Sequence, residues 1–270
     1  MTGVMQRRPG SGGPTVAGVS FEVAAEAYDL FMGRFSVPLA GLFVEAAGVR
    51  RGQRALDVGC GPGALTAELV ARLGPADVTA VDPSAPFVAA ATSRFPGVDV
   101  RTASAESLPF PYDSFDVVLA QLVVHFMADP VAGLREMGRV ARPGATLGAS
   151  VWDHGGGHGP LSPFWRAALD LDPSVVDESG QAGATEGQLA DLCTEAGLVD
   201  VRPTVLSVTV RYDSFEQWWE PYTFGVGPAG DHLKSLTDED AAALRARCVE
   251  LMPPAPFDVV AAAWTVLARA

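Results

Sequence analysis

Lysine is nearly absent from this 270-residue chain. Lys234 stands alone, and 19 Lys plus Arg face 32 Asp plus Glu, for a net charge of -13 at pH 7 and an isoelectric point near 4.6. Binding a phosphate backbone needs a basic stripe that releases counterions, and this composition supplies none, so nucleic acid is not expected as the substrate. Cysteine is also scarce. Cys60, Cys193 and Cys248 are odd in number, scattered and without CxxC spacing, which argues against a disulfide framework or a thiolate metal site and points to a reducing, cytoplasmic setting. Long hydrophobic runs are missing too. The most apolar stretch, 115–128, is interrupted by Asp116, Gln121 and His125 and is too short to span a bilayer, so no membrane association is expected. Arg7 and Arg8 are not followed by the apolar segment of a signal peptide, and the Gly/Ser/Pro-rich residues 1–20 read as a disordered leader.

What remains is 48% hydrophobic and 19% charged, enough to bury the core of one large α/β domain. Residues 21–47 carry apolar side chains at helical spacing broken by Gly33 and Pro38, which predicts two short helices before the first strand. From Arg54 the rhythm changes to short apolar runs alternating with amphipathic stretches: RALDV, then a helix from Ala64; VTAVD, then a helix from Ala85; VDVRTA; a fourth strand at 116–120; a helix at 131–141; and a fifth strand at 145–151 after Pro143-Gly144. Strands alternating with helices imply right-handed crossovers and a doubly wound parallel sheet with helices on both faces. Helices are expected at 163–169, 186–196 and 239–251, and extended segments at 199–211 and 257–266. The expected organisation is leader 1–20, N-terminal helical lid 21–52, and core 53–270 with acceptor-side insertions at about 153–187 and 213–256.

The chemistry concentrates in Leu56 to Gly63, LDVGCGPG. Glycines at 59, 61 and 63, at the end of a strand and the start of a helix, let backbone approach a ligand closely. Asp82, ending the second strand within VTAVDPS, sits where a carboxylate accepts hydrogen bonds from both hydroxyls of a ribose. An adenosine-type ligand is implied, but the glycine pattern also satisfies a dinucleotide fingerprint. Asp57 shifts the balance, because an acid two residues before the first glycine suits a ligand ammonium, which a methionine moiety has and a pyrophosphate lacks.

In combination, LDVGCGPG, VDPS, ASAESLPFPYDSFDVVLAQLVVHF and RVARPGA resemble the successive motifs of class I S-adenosylmethionine-dependent methyltransferases, nearest the ubiquinone/menaquinone-biosynthesis-like small-molecule group. The likeness covers roughly 21–152 well. It implies a Rossmann-like sheet of seven strands, mostly parallel with the last antiparallel. It also implies S-adenosylmethionine as cofactor, S-adenosylhomocysteine as its product, and a small-molecule methyl acceptor as partner. By the same resemblance, Asp57, Gly59, Gly61 and Gly63 line the methionine and ribose side, Asp82 takes the ribose hydroxyls and Pro83 packs on the adenine. Ser104 stands where the family often has aspartate facing the adenine amino group, Ala105 and Glu106 adjoin that edge, and Gln121 borders the methionine portion. Tyr28 and Arg34, in YDLFMGRF, resemble lid residues, with Arg34 able to pair with the cofactor carboxylate or else to lie in ordinary helix packing.

A sulfonium methyl group is already activated, so alignment and exclusion of water carry most of the catalysis. Where the acceptor must lose a proton, a base helps, and His125 is the first candidate, just past the fourth strand; packing is its competing role. His154 and His158 read as solvated loop residues without metal-site geometry, and no metal site is expected. Trp152 and Asp153 are candidate pocket walls, and Trp218, Trp219, Tyr222 and Phe224 form either part of the acceptor pocket or core. Two other functions share these features: a nicotinamide-dependent oxidoreductase, and a non-catalytic cofactor-binding or interaction protein. Nothing in the sequence specifies the acceptor or the oligomeric state.

Overall fold

The computed structural model describes residues 29–270, so the expected leader, most of the lid's first helix and Tyr28 lie outside the described residues. A π-helical turn, Asp29–Gly33, runs directly into helix α1, Arg34–Ala46. The expected break at Pro38 does not occur. Pro38 sits on the exposed face in the second turn, where its missing N–H costs one bond, while Phe35, Leu39, Ala40 and Phe43 on the opposite face stay buried.

The core follows the expected alternation: β1 (Ala55–Val58), α2 (Ala64–Leu73), β2 (Val78–Asp82), α3 (Ala85–Arg94), β3 (Asp99–Thr102), β4 (Phe115–Gln121), α4 (Pro130–Val140) and β5 (Ala141–Trp152). Strands β1 and β2 are buried throughout, as strands covered on both faces must be, and their sequences accordingly show no polar alternation. Helix α4 starts where both signals agree: Asp129 accepts a hydrogen bond from the Ala132 N–H, and Pro130 occupies the first helical position. Pro143-Gly144 was expected to precede β5. Instead the strand starts at Ala141, and the turn residues form an irregularity inside it, where the pairing with β4 shifts register between Phe115 and Val117 and Gly144 takes a positive φ of 77°.

After β5 come α5 (Ser162–Leu171), α6 (Gln188–Glu195), β6 (Val199–Tyr212), α7 (Phe215–Trp219), α8 (Gly227–Ser235), α9 (Asp238–Leu251) and β7 (Phe257–Arg269). Helix α8 had no periodic apolar stripe to announce it. The seven strands form one sheet in the order β3-β2-β1-β4-β5-β7-β6. Strand β7 alone is antiparallel to its neighbours β5 and β6, so the sheet is parallel apart from that last strand. Chain order reverses between β1 and β4, and open α/β sheets bind ligands in the crevice at the carboxyl ends of such a pair.

Three large apolar clusters hold the sheet. One, with Phe43, Leu65 and Leu69, lies under α1 and α2; a second, with Leu134, Met137 and Leu189, lies under α4 and α6. The third joins Phe31 and Phe35 to the later insertions through Trp152, Phe164, Trp218 and Tyr222. The aromatic cluster of 215–224 is therefore core. Tyr222 stacks on Phe164 at 4.6 Å between ring centres and meets Phe31 edge-on at 4.9 Å.

Candidate active site

At the switch point the chain forms a half-open cavity, lined from β1 and its loop by Asp57, Gly59, Cys60 and Gly61, from the end of β2 by Asp82 and Pro83, and from β4 by Gln121 and Leu122. The glycines are required by two different constraints. Gly59 has a φ of 72°, and a β-carbon there would overlap the methyls of Val123. Gly61, at φ 53°, has nothing within 4 Å of that position, so its surface is free for a ligand. Gly63 lies outside the lining. Its φ of 103° starts α2, and its missing side chain makes room for the ring of Phe95.

Asp82 is clamped at both oxygens: Oδ2 accepts from the Gly61 N–H and Oδ1 from the Ser84 N–H, each at 2.8 Å. Burial raises its pKa above the ordinary carboxylate value, against the lowering effect of those two donors. Each oxygen keeps a second lone pair for a ligand hydroxyl. Asp57 is 1% exposed and accepts a hydrogen bond from Thr66 Oγ1 at 2.6 Å. Burial, reinforced by the charge of Asp82 and opposed by the Thr66 hydroxyl, pushes its carboxyl up to about 7. Gln121 donates from Nε2 to the Ser36 carbonyl at 2.9 Å, while its Oε1 and the Ser36 hydroxyl are buried without partners on the cavity wall.

The remaining predicted residues are placed elsewhere. Arg34 donates from Nη2 to the Arg211 carbonyl at 2.8 Å, and its guanidinium lies 4.2 Å from the Tyr212 ring centre. It braces α1 against β6 and does not line the cavity. Ser104, Ala105 and Glu106 also stand outside the lining. Glu106 Oε1 accepts from the N–H groups of Ala128 and Asp129 and so holds the segment after β4. Conversely, Ser36, Cys60, Leu65, Ser84, Phe87 and Phe126 line the cavity without having been singled out. Phe87 and Ser84 directly follow the β2 carboxyl edge, a position that would have flagged them; Ser36 has no sequence signal, because tertiary packing alone brings α1 to this edge.

A second, smaller half-open chamber adjoins the first, and Leu122 and Phe126 lie in both linings. Its walls include Phe31, Met32, His125, Trp152, His154, Glu178 and Val226. His125 is thus next to the cofactor-type cavity but not within it. Burial holds its imidazole well below its usual pKa, helped by neighbouring His154, whose ring centre is 6.0 Å away. His154 departs from the reading of it as a solvated loop residue: it is 9% exposed, and burial lowers its pKa against the pull of Glu178, Asp177 and Asp153. His158 remains exposed and pairs through Nδ1 with Asp153 Oδ2 at 2.8 Å. Asp153 also accepts from Trp264 Nε1 and the Gly156 N–H, so it fixes the loop after β5 and is not a chamber wall. Among the described residues no group of three or more His, Cys, Asp or Glu is placed to hold a metal ion, and no helix is long and apolar enough to cross a membrane.

Comparison with known proteins places this arrangement. Residues 56–148 match the model of a methyltransferase domain. An uncharacterized protein of Mycobacterium tuberculosis is 30% identical over 239 residues, covering 83% of each chain. The demethylmenaquinone methyltransferase of Beutenbergia cavernae is 36% identical over 136 residues, covering 49% of this chain and 55% of that protein. Phosphoethanolamine N-methyltransferase 2 of Haemonchus contortus, whose structure was solved with S-adenosylhomocysteine, shares the fold with a TM-score of 0.56 at 18% identity, over 91% of this chain and 56% of that one. The chain carries a methyltransferase domain and belongs to one family with the mycobacterial protein.

Proposed function

We propose that the switch-point cavity binds S-adenosylmethionine and that the enzyme transfers its methyl group to oxygen, nitrogen or carbon of a small-molecule acceptor held in the adjoining chamber. The observation that carries this reading is adjacency: Leu122 and Phe126 line both cavities, so the two spaces meet at these side chains.

The first cavity suits the cofactor on chemical grounds. Asp82 offers lone pairs to vicinal hydroxyls, the Gln121 Oε1 is a buried acceptor in need of a donor, and Asp57 can take an ammonium hydrogen. The apolar rings of Pro83 and Phe87 provide faces for a purine. The cofactor supplies a methyl carbon bound to a positively charged sulfur. The protein's part is to hold the acceptor in line with that bond, keep water out and receive a proton where the acceptor loses one. His125, uncharged because it is buried, has a lone pair for that proton.

Calorimetric titration with S-adenosylhomocysteine should show binding and a nicotinamide nucleotide should show none; the reverse pattern would refute the proposal. Asp82→Ala should weaken that binding at least tenfold, consistent with loss of a charge-assisted pair of hydrogen bonds. His125→Ala should lower kcat by about 10² or more while leaving cofactor affinity unchanged. Near-normal turnover would assign His125 to packing.

A further inference from the structure

The second chamber has a specific polarity. Among the described residues its wall carries Phe31, Met32, Leu122, Trp152 and Val226, with no Lys or Arg. Three buried side-chain nitrogens on wall residues have no hydrogen-bond partner: His125 Nδ1, His154 Nε2 and Trp152 Nε1. His154 is nine-tenths buried and Trp152 is 2% exposed. The only carboxylate among the described wall residues, Glu178, is itself buried and receives the Trp165 Nε1–H at 2.8 Å. Orphaned buried polar atoms are costly, so three on wall residues of one small chamber point to a ligand that satisfies them.

Resting on the reading of the site as a methyltransferase, we infer that the acceptor is a compact, uncharged, largely apolar molecule carrying a hydroxyl next to a second oxygen, such as a hydroxyaryl ketone, and that the hydroxyl oxygen is methylated. Each feature follows from a wall residue. An indole N–H only donates, so Trp152 requires a ligand lone pair, which a carbonyl oxygen provides and an ammonium does not. A carboxylate or phosphate ester would enter a chamber that has no Lys or Arg among its described wall residues and that carries the carboxylate Glu178, a costly burial of charge. An imidazole nitrogen with a free lone pair suits a hydroxyl donor, and His125, whose Nδ1 is without a partner, lies beside Phe126, which lines both cavities, with 3.9 Å between ring centres.

The step balances. The hydroxyl proton passes to His125, an oxygen lone pair forms the bond to the methyl carbon, and the carbon–sulfur bond breaks with its electron pair remaining on sulfur. The products are a methyl ether, neutral S-adenosylhomocysteine and a protonated imidazole that returns its proton to water.

The experiment uses the full chain and three aromatic probes of similar size: 2′-hydroxyacetophenone, benzoate and phenethylamine. Binding is read as a shift in melting temperature with S-adenosylhomocysteine present, and turnover as methyl ether formed from labelled S-adenosylmethionine. The hydroxyketone should bind at least tenfold more tightly than either charged probe and give the ether. Trp152→Phe should raise its KM about tenfold with little change in kcat, whereas His125→Asn should lower kcat and remove the pH dependence of turnover. Retained S-adenosylhomocysteine binding certifies that each variant is folded. Preferred binding of benzoate or phenethylamine, no binding of the hydroxyketone, or its unchanged affinity in Trp152→Phe would overturn the inference. Those outcomes with cofactor binding intact leave the methyltransferase reading standing; failure of S-adenosylhomocysteine to bind the unaltered chain would remove both.

Discussion

The behaviour of the cofactor cavity is set most sharply by one carboxyl. Asp57 is held neutral up to about pH 7 because its burial next to Asp82 outweighs the hydrogen bonding from Thr66. Two consequences have opposite signs. Its raised pKa means that the native state binds the proton more tightly than the unfolded chain, so its contribution to stability is present below the ordinary carboxylate range and is lost as pH rises toward about 7. Its affinity for a ligand ammonium moves the other way, because only the ionised form attracts the cation. S-adenosylhomocysteine titrated between pH 6 and pH 8.5 should therefore bind more tightly at the higher pH, and Asp57→Asn should flatten that dependence. A slope that survives the substitution would transfer the effect to another group. At Gly59 the constraint is steric: positive φ and the nearby Val123 together leave no room for a side chain, whereas Gly61 faces open space.

Among the elements, helix α1 contributes the most that could not be anticipated. It carries Pro38 through its second turn, places Ser36 on the cofactor cavity and ties Arg34 to the end of β6. Proline inside a helix costs up to about 3 kcal/mol, and Pro38 is exposed, so removing it sacrifices little packing. Pro38→Ala should restore an N–H that can reach the Arg34 carbonyl and stabilise the protein by about 1 kcal/mol or more in denaturant unfolding. A loss of stability would show that the ring packs to some purpose. The same element shows what periodicity can and cannot read. The apolar positions 39, 42 and 43 announced a helix, but the break assigned to Pro38 was overridden by burial of Leu39 and Phe43 on the opposite face. Helix α8 was missed for the converse reason, since it starts at Gly227-Pro228 and has few apolar residues to form a stripe.

At the level of the whole molecule, the cofactor cavity draws on α1, the loop after β1, the end of β2 and the end of β4. A ligand there links parts of the fold that unfolding must separate. S-adenosylhomocysteine at a hundredfold excess over its Kd should add about 2.7 kcal/mol of stability, raising Tm by roughly 5–10 °C for a chain of this size. No shift despite calorimetric binding would mean that the unfolded chain binds as well.

Much of this protein was decided locally. Strand-to-helix turns, the glycines of LDVGCGPG and the acids at 57 and 82 were legible because backbone conformation and strand periodicity are short-range properties, expressed in neighbouring residues. The acceptor side was not. His154 sits in the glycine-rich stretch WDHGGGHGP, which locally reads as a solvated loop, yet the fold buries it beside His125, 29 positions earlier, and Glu178, 24 positions later. Arg34 matched a motif and was directed to β6 by packing. Proximity between residues far apart in the chain depends on how the sheet twists and which helices cover it. Local residue patterns pointed to an adenosine-type cofactor at the switch point, and the tertiary structure decided which chamber meets that cavity at Leu122 and Phe126.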